Sequence, residues 1–127
     1  MGVYGTSKLY NIMFAQELDN RVGADGVRSF AVHPGSAKSD LVTKIEPGMY
    51  NFLGKFVRLI SQSTDNGAIS SLYAATSDEV LATGASKLYG PNWFNMGNTA
   101  AREIGNKDVT PANNKILWEK TKEIVGV

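Results

Sequence analysis

"GVRSFAVHPG" (residues 26–35) decides how this chain is read. Gly26 supplies a turn. Val27–Val32 is short, β-branched at both ends and carries Phe30 inside, which predicts a strand. His33-Pro34-Gly35 stops it, because Pro34 has no N–H for a sheet ladder and Gly35 lets other backbone come close.

Helices flank this strand. Before it, Leu9, Ile12, Met13, Leu18 and Val22 recur at spacings of three and four, with Gln16, Glu17, Asp19 and Asn20 between them. That pattern predicts a helix over 4–22, ended by Gly23 in a left-handed position. After it, "SAKSDLVTKI" (36–45) holds a short helical turn. Leu53, Phe56, Val57 and Ile60 then define an amphipathic helix over 50–60. A third helix starts at a cap among Ser63, Thr64 and Asp65 and turns Ala68, Ile69, Leu72 and Tyr73 inward. "SKLYG" (86–90) predicts a second strand, ended by Gly90-Pro91. Residues 92–109 show no period. Thr110-Pro111 then stands where an N-cap and first helical residue belong, ahead of "ANNKILWEKTKEIV". The strand–helix–strand order predicts parallel pairing in an α/β fold. Two short strands make a poor sheet alone, so the chain reads as part of a larger domain.

Composition narrows the function classes. The chain has 127 residues, the length of one domain, with 43% hydrophobic and 20% charged residues and a net charge of +1. No basic cluster marks a nucleic-acid or anionic-membrane surface. There is one His and no Cys, which disfavours zinc and excludes disulfides. No apolar run reaches the ~20 residues of a membrane span, and no signal-peptide core follows Met1. A cytoplasmic setting is the default expectation.

The chemistry-bearing residues stand at the start. Tyr4 and Lys8, four apart, project from one helix face. An ammonium beside a phenol favours the phenolate. Such a phenol can give a proton to a carbonyl oxygen or take one from an alcohol. On the spacing alone, an ordinary helix surface is the commoner reading. A second feature points the same way as the chemistry: in open parallel sheets ligands bind beyond the carboxyl ends of the strands, where "HPGSAKSD" lies. Gly35 and the hydroxyls of Ser36 and Ser39 could meet a polar ligand there; a plain strand-to-helix turn is the competing reading.

Tyr4-x-x-Ser7-Lys8, the apolar helix, "GVRSFAVHPG", "GAISSLYAATS" and "KLYGP" together resemble, in order and spacing, the C-terminal half of a short-chain dehydrogenase/reductase. "HPG" and "LWEKTKEIVG" are most similar to its retinol-dehydrogenase-like branch. The resemblance implies a partial Rossmann-type, doubly wound parallel sheet, with residues 1–127 forming the C-terminal part of one domain and the N-terminal strands missing. It implies Tyr4 as general acid/base and Lys8 as the holder of the nicotinamide ribose. Pro34, Gly35, Ala37 and Ser39 would meet the nicotinamide end of the cofactor, NAD or NADP with NADP preferred. Residues 40–62 would form a substrate lid, whose Leu41, Val42, Met49, Phe52 and Phe56 suit a lipophilic alcohol or carbonyl compound. The 4–22 helix would serve a homo-oligomer interface. The family's glycine-rich dinucleotide turn and its catalytic Ser and Asn have no counterpart here; Ser7 is not that Ser. A non-catalytic dimerisation module, or a degenerate fragment, is therefore the rival expectation.

Other motifs carry less. "GMYNFLGKF" (48–56) has five residues between its glycines where a phosphate loop has four. His33 and Asp40 lack the elbow of a serine hydrolase, so His33 reads as structural. Met13, Phe14, Trp93 and Trp118 read as packing residues, and Lys115, Lys120 and Lys122 as a solvated face.

Overall fold

The computed structural model describes residues 2–35, 64–93 and 96–126. The expected turn in 36–45, the 50–60 helix, the lid residues, Ala37, Ser39, Asp40 and the side chain of Trp93 lie outside the described residues. The described elements are α1 (Val3–Val22), β1 (Ala31–Val32), α2 (Thr64–Thr76), α3 (Asp78–Thr83), β2 (Leu88–Trp93), β3 (Met96–Arg102) and α4 (Pro111–Val125). The class is α/β, part of a Rossmann-type fold, with a mixed sheet ordered β1-β2-β3. The chain divides into two compact units, Met1–Ala31 with Ser77–Leu88 and Ala101–Val127, and Val32–Thr76 with Tyr89–Ala100.

In the first unit α1 packs on α4. The Phe14 and Trp118 rings stack at 5.1 Å, and the Arg21 guanidinium lies 4.7 Å from the Trp118 ring centre. Arg21 also bonds Glu17 Oε1 at 2.8 Å and Glu119 Oε1 at 2.9 Å. This explains why Glu17, expected on the polar face, is buried: it sits one helical turn before the cation that neutralises it. Met13 is buried as expected, whereas Phe14 keeps one face exposed. α4 starts where Thr110-Pro111 placed it, with Thr110 Oγ1 accepting from Asn113 N at 3.2 Å.

α1 ends differently from its prediction. Gly23 is right-handed, and the chain makes one 3-10 turn over Gly23–Asp25 before Gly26, at φ +84, stops it. The strand expected over 27–32 is also shorter. Asp19 accepts from Arg28 Nε at 2.8 Å, Arg28 Nη2 at 3.1 Å and the backbone N–H of Ser29 at 2.9 Å. That N–H is thus spent on a side chain of α1, and strand pairing begins only at Ala31. The Arg28 bond holds the Asp19 carboxyl below its ordinary value; partial burial opposes this and the Ser29 bond adds to it. α3, not singled out by the sequence pattern, buries Val80 completely.

In the second unit the strand expected to end at Gly90-Pro91 runs through both residues. His33 N donates to Tyr89 O at 2.7 Å, joining the residue after β1 to β2. The segment expected to be irregular supplies β3, so the sheet has three strands rather than two. α2 also turns a different face inward. Ile69 is 49% and Leu72 63% exposed, while Gly67, Ser70 and Ala74 are buried. Small residues three and four apart allow close approach, and Ser70 Oγ meets Thr99 Oγ1 of β3 at 2.9 Å.

Candidate functional site

Tyr4 and Lys8 occupy the first turns of α1, in the first unit. Gly2 precedes the helix with an extended backbone, and Thr6 N donates to Gly2 O at 3.1 Å, closing the first turn. The four-residue spacing does what helical geometry requires: Lys8 Nζ lies 5.3 Å from the centre of the Tyr4 ring, within cation–π reach. Tyr4 is 67% exposed, so phenol and ammonium are presented together on an open helix face. Ser7, between them in sequence, turns its hydroxyl back to donate to Tyr4 O at 2.8 Å. That is a local bond within the helix.

Pro34 and Gly35 stand in the second unit, at the bend after β1. Gly35 has φ +77, a conformation that glycine adopts without strain. Its N–H donates to His33 Nδ1 at 2.7 Å. A ring that accepts at Nδ1 carries its proton on Nε2. His33 thus ties the bend from both sides, through its own N–H to Tyr89 and through its ring to Gly35. Sequence reasoning treated His33 as structural without finding this bond. The usable signal was a hydrogen-bonding side chain two residues ahead of a glycine N–H, the arrangement of an Asx turn. Of the six residues singled out from the sequence, two are brought together on α1 and two form the bend. Ala37 and Ser39 lie outside the described residues.

Chemically, α1 offers a hydroxyl able to pass a proton and a cation able to donate hydrogen bonds. The bend offers a left-handed glycine backbone held in one conformation. Among the described residues no group of three or more His, Cys, Asp or Glu side chains could hold a metal ion, and no helix is long and apolar enough to cross a membrane.

No family model and no solved structure matches the chain. Curated relatives do. A short-chain dehydrogenase/reductase of Armillaria gallica is 35% identical over 120 residues, 92% of this chain and 34% of the relative. Dehydrogenase/reductase SDR family member 13 of Homo sapiens is 32% identical over 125 residues, 98% of this chain and 31% of the relative. Retinol dehydrogenase 12 of Homo sapiens is 29% identical over 124 residues, 98% of this chain and 36% of the relative. The chain spans about a third of the length of these relatives.

Proposed function

The chain belongs to the short-chain dehydrogenase/reductase family, in its retinol-dehydrogenase-like branch, and from that membership we propose that it carries the proton-transfer half of an NAD(P)-dependent oxidoreductase site. The substrate class is an alcohol or carbonyl compound, lipophilic in character. The observation that carries this reading is the Tyr4–Lys8 pair, 5.3 Å from ammonium to ring centre on one exposed face of α1.

In this reading the Tyr4 hydroxyl donates a proton to the carbonyl oxygen during reduction and takes it back from the alcohol during oxidation. The Lys8 ammonium would hold the ribose hydroxyls of a nicotinamide dinucleotide, and Pro34, Gly35, Ala37 and Ser39 are the residues proposed for its nicotinamide end. The chemistry of the Tyr4–Lys8 pair suits such a group: a cation with three N–H donors for hydroxyl oxygens and a phenol for the substrate oxygen. A bound nicotinamide would supply the hydride acceptor or donor. The choice of NADP over NAD, the lipophilic substrate and a cytoplasmic setting are parts of this proposal.

The test is Tyr4→Phe, which keeps the ring and removes the hydroxyl. In an intact version of the enzyme, turnover of alcohol or carbonyl substrates is expected to be abolished, with dinucleotide affinity, followed by fluorescence titration, little changed. Retained turnover would overturn the assignment.

A second reading has its own observation. Val3, Tyr10 and Phe14, seven and four apart, form one exposed stripe of α1, with Tyr10 47% exposed. We propose this stripe as a homo-oligomer contact. Tyr10→Glu is then expected to shift sedimentation toward the monomer; an unchanged profile would remove the contact.

A further inference from the structure

The first unit contains a cleft of about 370 Å³, between α1, the turn at Ala85 and Ser86, the chain leaving β3, and the start of α4. Its volume falls within the range of small-molecule sites. Gln16, Asp19, Asn20, Ser86, Glu103 and Asn114 supply its polar wall.

Three of these groups are already engaged. Both Asp19 oxygens accept from Arg28, and Oδ1 also takes the Ser29 N–H. Glu103 is paired with Lys87. Gln16 Oε1 accepts from Asn114 Nδ2 at 2.8 Å. Asn114 is engaged only through its Nδ2. It is 2% exposed, and its Oδ1 is buried with no hydrogen-bond partner among the described residues. A buried acceptor left unmatched costs about 1–3 kcal/mol, so a ligand that supplies a donor there recovers what folding leaves unsatisfied.

The chemistry of that ligand follows. It must donate, because the orphan atom is a carbonyl oxygen. It is neutral, because among the described residues no Lys or Arg lines the cleft to receive an anion, and Asp19 and Glu103, the carboxylates there, are ion-paired. A charged ligand would lose hydration without a partner. Ile104, Val109 and Pro111 add apolar wall for a short hydrocarbon body. We propose that this cleft is a binding site for a primary carboxamide, whose N–H extends the Gln16–Asn114 amide pair by one further bond. The carboxamide is either a free small molecule or an Asn or Gln side chain of another protein. The inference does not depend on the redox reading.

The test compares two probes of the same shape on the unmodified protein, isobutyramide and 3-methyl-2-butanone, in which a methyl replaces the amide nitrogen. The readout is the side-chain amide NMR signals of Gln16 and Asn114. Isobutyramide is expected to shift both saturably and to bind roughly fivefold to tenfold tighter than the ketone, the worth of one hydrogen bond. Isobutyrate, an anion without a donor, is expected not to bind. Ser86→Trp, at an exposed residue of the cleft wall, is expected to abolish the amide-induced shifts. Tighter binding of N-acetylglutamine amide than of isobutyramide supports a protein side chain as the source; weaker binding supports a small molecule. Equal shifts from amide and ketone would mean that solvent alone serves the Asn114 carbonyl, and would overturn the proposal. So would amide binding that survives Ser86→Trp.

Discussion

A β-carbon on Gly90 would stand 2.9 Å from the carbonyl oxygen of His33 and 3.1 Å from its Cβ. β2 approaches the end of β1 closely enough that only hydrogen fits. Gly90→Ala should therefore destabilise, although alanine is usually the better residue in a strand. A loss of about 1–3 kcal/mol is expected, the usual cost of overpacking. Urea denaturation measures it, and unchanged stability would show that the two backbones can part.

The Asp19–Arg28 pair gives a stability that depends on pH. The folded Asp19 carboxyl titrates below its ordinary 3.8, chiefly through the Arg28 bond. Its contribution is thus complete above that ordinary value and disappears as pH falls through the lower, folded value. Asp19→Asn should cost about 1–2 kcal/mol at pH 7, with both side chains only partly exposed, and progressively less as the pH drops below 4. A cost that stays constant from pH 7 to about pH 2 would contradict this account.

Arg21 neutralises a carboxylate that α1 has buried. Arg21→Ala removes that partner and the cation over Trp118 together, and should cost roughly 2 kcal/mol, since Arg21 itself is partly exposed. Glu17→Gln in the same background should recover part of the loss by removing the stranded charge. A double-mutant cycle measures the coupling; strictly additive effects would mean that the pair contributes nothing beyond packing.

Ser7 separates two explanations of activity at the start of α1. Its hydroxyl is bonded to the Tyr4 carbonyl, so Ser7→Ala should leave turnover within about twofold of the parent, while Tyr4→Phe abolishes it. A large loss in Ser7→Ala would mean that this hydroxyl leaves its helix bond to meet substrate.

The starts of α1 and α4 were legible because their signals are local. The three- and four-residue spacing gave α1 to within one residue of its start, and Thr110-Pro111 gave the start of α4. The sheet was less so. β1 is cut short by a carboxylate ten residues away in sequence, which no strand propensity records. β3 carries Asn98, Ala100 and Ala101, and the inward face of α2 carries Gly67, Ser70 and Ala74. Close packing by small residues leaves no apolar period to read. The Tyr4–Lys8 pair was visible as a spacing. The Asn114 cleft was not, since residues 16 and 114 meet only when the chain has folded.

That last pairing bears on how the protein is made. α1 is held by α4 through Gln16–Asn114 and Arg21–Glu119, each spanning 98 positions. A nascent α1 therefore leaves the ribosome well ahead of α4, and must wait on the order of 5–20 s of translation for that partner to emerge. During that interval Phe14 lacks the Trp118 ring on which it later stacks.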